Sequence, residues 1–306
     1  MDRLYHAALQ SICEHAASHA EFKVIVFFPF KRQVQLMAEL FRQVLPSCLG
    51  PETQILEIHS DLQQAQRDRA SNAFRNGKRV VLLGTDVIAR GVDYPDVTFV
   101  LQVGLTDRDT YVHRVGRTGR AGRSGEALLV ISKFEEPAMR KRLDGYGTEW
   151  LRAEDPDKSR AQNSRSRVQG QLPPAMIVTV STKPELEEKA AALAVKQASL
   201  FRRAYTAWLG FYGSEAKDIG VRKDMLEREA AAAYAPLGLE RPPEISPETR
   251  KKMGFPLAST TSPTAPNAPN AAAAHSVSTT SVSGKRKKNN SVDNGSELRN
   301  RRKTRR

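Results

Sequence analysis

The stretch RVVLLGTDVIARGVDYPDVTFVLQVG, Arg79–Gly104, holds two apolar runs of strand length, RVVLLG and TFVLQVG, joined by a connection that carries Gly91 and the acids Asp86, Asp93 and Asp96. Runs this short and this uniformly apolar fit strands covered on both faces, as in a parallel sheet. Upstream, FKVIVFF (Phe22–Phe28) is a third such run and TQILEIH (Thr53–His59) reads as a fourth strand. Downstream, EALLVIS (Glu126–Ser132) is a fifth. The intervals have helical spacing. Leu4, Ala8, Ile12 and Ala16 recur within residues 4–19. Val34, Met37, Ala38, Phe41 and Leu45 share a stripe that Pro46 is expected to end. Gln63–Arg75 reads as a helix stopped by Gly77, and a further helix is expected from about Asp109 to Arg117. Strands alternating with helices over short connections predict an α/β domain, a parallel sheet flanked by helices, over about residues 1–150. Ligands of such sheets bind beyond the carboxyl ends of the strands. The Gly- and Arg-rich segments follow strand ends, so the pattern predicts one functional edge.

The remaining chain changes character. Residues 153–172 are polar and basic with no apolar period, as in a loop. Pro184–Trp208 and Asp224–Tyr234 are Ala-rich and helical in pattern, and Glu185, Glu187 and Glu188 after Pro184 suit a helix start. Residues 151–255 are therefore expected to form an α-helical extension. Residues 256–284 are mostly Ser, Thr, Pro, Ala and Asn, which cannot bury enough apolar surface to offset chain entropy, so disorder is expected there. The chain carries a net +14, and residues 285–306 hold ten Lys/Arg against Asp293 and Glu297. Such a tail is drawn to any polyanion; a solvated tail or a nuclear-import signal reads the same way. Cys13 and Cys48 are too few for a disulfide framework and lack metal spacing, so both are expected as buried free thiols in a reducing compartment. No run of about 18 apolar residues could span a membrane, and MDRLYHAALQ lacks a secretory core.

The chemistry concentrates in YVHRVGRTGRAGRSG, Tyr111–Gly125, where Arg114, Arg117, Arg120 and Arg123 recur at every third position. The first two are expected to share a helix face, and the glycines let the backbone approach an anion. Arginines so placed can stabilise charge on a transferring phosphoryl group; a generic basic patch has the same composition. In LLGTDVIARGVDYPDV (Leu82–Val97), Thr85 can meet a phosphodiester, Arg90 and Gly91 leave the strand edge, and Asp93 offers a carboxylate to a hydroxyl or an arginine, or merely caps a turn. In HSDLQQAQRDRASNAF (His59–Phe74), Gln64 and Arg67 are one helical turn apart, as they also would be on a solvated face.

In order, these segments resemble motifs IV, IVa, V and VI of the DEAD-box ATP-dependent RNA helicases. VIVFFPF is similar to motif IV, Gln64-x-x-Arg67 to the QxxR motif, GTDVIARGVD to motif V and HRVGRTGR to motif VI. The resemblance covers about Phe22–Ser132 and implies a second RecA-like domain. It implies that Arg117 and Arg120 are arginine fingers for the ATP γ-phosphate and that Asp93 binds the nucleotide ribose. His113 and Arg114 would couple to the first domain and the cleft. Thr85, Arg90, Gly91, Gln64 and Arg67 would bind RNA or, for Arg67, brace the interface. One departure is Phe30, where the family carries Thr or Ser, which puts a hydroxyl contact to RNA phosphate in doubt. DYPDVTFVLQVG most resembles the mitochondrial intron-splicing branch, which carries a helical extension and a basic tail.

No GxxxxGK[ST], Asp-Glu-Ala-Asp, Ser-Ala-Thr or Q motif occurs. The resemblance assigns the adenine site, the phosphate loop and the Mg2+ ligands to a first RecA-like domain, so ATP with Mg2+ is expected only in partnership with it. The chain is then expected to be a fragment inactive on its own, or a non-catalytic RNA-binding or regulatory module. RNA and the first domain are the expected partners, with no membrane, no metal held by this chain, and a monomeric state. The branch implies a mitochondrial location; the tail alone would suit the nucleus or nucleolus.

Overall fold

The computed structural model describes residues 4–88, 93–120, 124–146, 150–152, 175–177, 184–239 and 241–256. The expected loop at 153–172, the expected disordered segment after Pro256 and the basic tail lie outside them. The chain begins with α1 (Leu4–Ala17), followed by β1 (Phe22–Phe27), α2 (Lys31–Leu49), β2 (Gln54–Ile58), α3 (Gln64–Asn76) and β3 (Arg79–Gly84). Next come β4 (Phe99–Val103), α4 (Arg108–Val115), β5 (Glu126–Ile131) and α5 (Glu136–Arg142). Two short strands, β6 (Trp150–Arg152) and β7 (Ala175–Ile177), follow. Then come α6 (Pro184–Lys196), α7 (Ala198–Glu215), α8 (Lys223–Tyr234) and α9 (Pro247–Lys252).

The seven strands form one sheet in the order β2-β3-β1-β4-β5-β7-β6, every pair parallel. The five strands read from apolar runs are all present. β6 and β7 extend the β5 edge and are three residues each, too short for an apolar run to announce them. β1 and β4 are buried at every position, and β2, at the other edge, is the one long strand with an exposed residue, Gln54. Val24 lies between Val81 of β3 and Phe99 of β4. Each fully buried aliphatic or aromatic side chain of this layer contributes roughly 1.5–3 kcal/mol by leaving water.

Helix α2 does not stop at Pro46 but runs on to Leu49. The proline removes one N–H from the ladder, while buried Leu45 and Leu49 hold the last turn against the core and Gly50 N–H closes it on the Pro46 carbonyl at 3.1 Å. The cysteines are not free: Cys13 of α1 and Cys48 of α2 form a disulfide with their Cα atoms 6.4 Å apart. Sequence spacing could not show this, because a pairing across 35 residues depends on how two helices lie together.

The helices beyond residue 184 share one compact unit with the sheet. Tyr212 of α7 donates its hydroxyl to Glu135 Oε1 (2.6 Å), and Glu135 Oε2 accepts the Ser132 N–H (2.6 Å), so the fully buried carboxylate is held from both sides. Tyr234 of α8 donates to Gln33 Oε1 at 2.7 Å. Arg142 of α5 reaches the Thr106 carbonyl at 2.9 Å, Glu215 at 2.7 Å, and Asp218. The close approach of α7 depends on Gly104, which has φ +83° at the end of β4. A Cβ there would lie 3.0 Å from the Tyr212 hydroxyl and 3.1 Å from Pro29 Cγ.

Candidate functional site

The expected site residues divide between the two ends of the sheet. At the carboxyl ends stand Phe30 after β1, the start of α3 after β2, and Thr85 after β3. Phe30 is the N-cap of α2 and makes no side-chain capping bond. Its ring instead packs on Phe211 of α7 at 5.5 Å, so the residue that departs from the family's hydroxyl joins the sheet to the extension. Gln63 caps α3 through a reciprocal box with Gln66, which fixes the first turn and places Gln64 and Arg67 on it. The exposed Gln64 amide donates to Asp68 at 2.7 Å. Arg67 is half-buried, and its Nε has no acceptor among the described residues. Thr85 is half-exposed, and its carbonyl accepts the Ile88 N–H at 3.1 Å. Arg90 and Gly91 lie outside the described residues.

Helix α4 starts beyond the carboxyl end of β4 and carries the chain back towards the amino ends of the strands. Asp107 caps it by accepting the Thr110 N–H at 2.8 Å. The helix ends at Val115, two residues short of the sequence expectation, because Gly116 closes it. Arg114 and Arg117 consequently do not share a face. Arg114 is buried at 2% exposure, donates its Nε to Asp86 at 2.8 Å and lies over the Phe27 ring at 5.1 Å. It braces the turn after β3 from inside rather than presenting a charge outward. His113 is exposed, and its carbonyl accepts Arg117 Nε at 3.2 Å.

Thr118 anchors the next turn through its buried hydroxyl, which donates to the Val97 carbonyl just ahead of β4. The arginine segment therefore sits at the amino end of β4, opposite the group around Thr85. Arg120 donates Nη1 to Asp93 at 2.6 Å and Nε to the Gly116 carbonyl at 2.6 Å. Burial, with the like charge of Arg120 adding to it, lowers the Arg117 pKa from its ordinary value, and Asp93 acts the other way. Asp93, Arg117 and Arg120 thus feel one another, and side chains of the outer pair are 76% and 41% exposed. An exposed pair like this is worth under about 1 kcal/mol and exchanges readily for a ligand's charges. Sequence reasoning missed the Asp86–Arg114 pair, although an arginine this deep requires a counter-charge and Asp86 follows Thr85 directly.

The family of helicase conserved C-terminal domains matches residues 7–122. The DEAD-box ATP-dependent RNA helicase 31 of Oryza sativa subsp. japonica is 34% identical over 256 residues, covering 83% of this chain and 41% of the relative. The mitochondrial ATP-dependent RNA helicase mss116 of Aspergillus fumigatus is 33% identical, covering 83% of this chain and 39% of the relative. The chain thus spans about two fifths of the length of these relatives. Among solved structures, Mss116p DEAD-box helicase domain 2 bound to an RNA duplex superposes with a TM-score of 0.63 at 23% identity, over 82% of this chain and 89% of that one. That likeness covers the helical extension as well as the sheet.

Proposed function

Because residues 7–122 are a helicase conserved C-terminal domain of the DEAD-box type, we propose that the chain forms the RNA-binding and arginine-finger side of an ATP-dependent RNA helicase. The observation that carries this reading is the Asp93–Arg120 pair, with Arg117 beside it, on the surface at the amino end of β4. In this pair a carboxylate and a guanidinium satisfy each other. ATP held by a first RecA-like domain would part them, Asp93 turning to a ribose hydroxyl while Arg117 and Arg120 turn to the γ-phosphate. The Mg2+ ligands belong to that first domain. His113 faces it, and Arg114 acts indirectly by fixing Asp86 and the turn bearing Thr85. Gln64, Arg67 and Thr85, at the opposite end, are assigned to RNA, so nucleotide and RNA are served by the two ends of the sheet; Arg90 and Gly91 are assigned to RNA on the motif alone. The domain acts as a monomer in this reading, and the likeness to the mss116 branch supports mitochondria over the nucleus or nucleolus.

The test joins the chain to a first domain carrying GxxxxGK[ST] and Asp-Glu-Ala-Asp. Arg120→Ala is expected to lower kcat by about 10³–10⁵ while leaving RNA affinity nearly intact. A kcat within about threefold of the parent would remove Arg120 from the role, since threefold is under about 1 kcal/mol. The 306-residue chain by itself is expected to show no RNA-stimulated phosphate release.

A further inference from the structure

His15 stands in the last turn of α1 and His19 two residues beyond its end, and the fold brings both to Glu126, the first residue of β5. One ligand atom from each of the three lies within 4.8 Å of the other two. The His15 ring is fully buried and stacks on Phe99 at 4.8 Å. Its Nε2 meets Thr98 Oγ1 at 2.9 Å, and that oxygen also accepts the Lys23 N–H at 3.1 Å. The Thr98 contact fixes the ring so that Nδ1 faces Glu126 Oε2 at 2.9 Å. The His19 ring stacks against His15 at 4.1 Å and is half-exposed. We propose that His15 Nδ1, His19 and Glu126 bind one divalent transition-metal ion, Zn2+ by ligand chemistry.

Two imidazoles and one carboxylate suit Zn2+, Co2+ or Ni2+ rather than Mg2+, which prefers oxygen. The ion takes the place of the proton between Nδ1 and Oε2, which leaves to solvent. His19 contributes after turning from the His15 carbonyl, which its Nδ1 meets at 2.8 Å. Water completes the tetrahedron, and the Thr98 contact acts as the outer partner that orients a ligating imidazole. The set shares no residue with Asp93, Arg117 and Arg120. Glu126 begins the strand that receives the arginine segment, so the ion would tie α1 to the point where that segment re-enters the sheet.

The experiment uses the full chain freed of metal with a chelator. Zn2+ binding is followed by calorimetry and melting temperature, and Co2+ by its visible spectrum. One equivalent of Zn2+ is expected to bind with a Kd of about 10 µM or tighter and to raise the melting temperature, and millimolar Mg2+ is expected not to compete. His19→Ala and Glu126→Gln should each weaken Zn2+ at least tenfold. Both are at the protein surface, and Gln keeps a hydrogen-bonding group towards His15. If either variant melts well below the parent without metal, His19→Gln with the Co2+ spectrum takes its place. Stoichiometric Zn2+ binding unaffected by any of these substitutions would place the ion at another histidine and overturn the proposal. So would the lack of any binding tighter than about 1 mM.

Discussion

Two ion pairs of the same chemical type separate sharply at the level of single residues. Arg114 is 2% exposed and pairs with an Asp86 side chain that is itself 43% exposed, whereas both Arg120 and Asp93 are exposed. Removing one partner of a buried charged hydrogen bond costs about 2–3 kcal/mol, while an exposed pair costs little. Arg114→Ala is therefore expected to lower stability by about 2–3 kcal/mol in urea unfolding. Asp93→Asn should stay within about 0.5 kcal/mol of the parent. Equal losses for the two would show that burial does not distinguish them. The sequence made the identities of these residues plain but not their depths. Four arginines at every third position look equivalent on paper, and the distinction arises because α4 stops at Gly116, so Arg114 points inward while Arg117 and Arg120 follow the turn.

Among elements, strands were the most legible, because each central strand is covered on both faces and so reads as an unbroken apolar run. Pro46 misled because a local helix-breaking preference lost to the burial of Leu49. The expectation of a single functional edge failed because α4 returns the arginine segment to the amino end of β4, which spacing cannot foretell. The cysteine pairing was equally out of reach. The bridge ties the ends of α1 and α2, and Cys48 is exposed enough for a small reductant to meet it. Closing a loop of 35 residues is worth about 3–4 kcal/mol in the chain-entropy account. The unreduced chain is expected to show no thiol with a thiol-reactive dye until dithiothreitol is added, and reduction should lower the melting temperature by about 5–15 °C. Two reactive thiols before reduction, or an unchanged melting temperature after it, would contradict this.

For the whole molecule, α7 and α8 are held by phenols that resist ionisation. Burial pushes Tyr205 up to about 12, and burial with the Glu135 charge raises Tyr212 well above its ordinary value. Burial, then the neighbouring tyrosines, does the same for Tyr234. A phenol raised in the folded state keeps its proton there longer than in the unfolded chain. The associated stability is complete below about pH 10 and is lost as pH rises towards the folded value, by about 1.4 kcal/mol per unit for each tyrosine. Unfolding followed at 295 nm should thus be cooperative between about pH 10 and 12, and gradual tyrosine titration with no loss of helix would refute it. The basic segment belongs to the same scale. Deleting residues 285–306, with ten Lys/Arg, should flatten the dependence of log K for RNA on log salt, since each phosphate neutralised contributes a slope of about −0.7. An unchanged slope would leave the import-signal reading ahead. Gly104, finally, has a meaning for descent as well as for packing. A Cβ there would press on the Tyr212 hydroxyl and on Pro29 over a backbone held at φ +83°, so a lineage that acquires a side chain at this position must shift those neighbours slightly and bear the strain of a left-handed backbone. Glycine at position 104 and tyrosine at position 212 are therefore expected to change together among homologues that keep the extension.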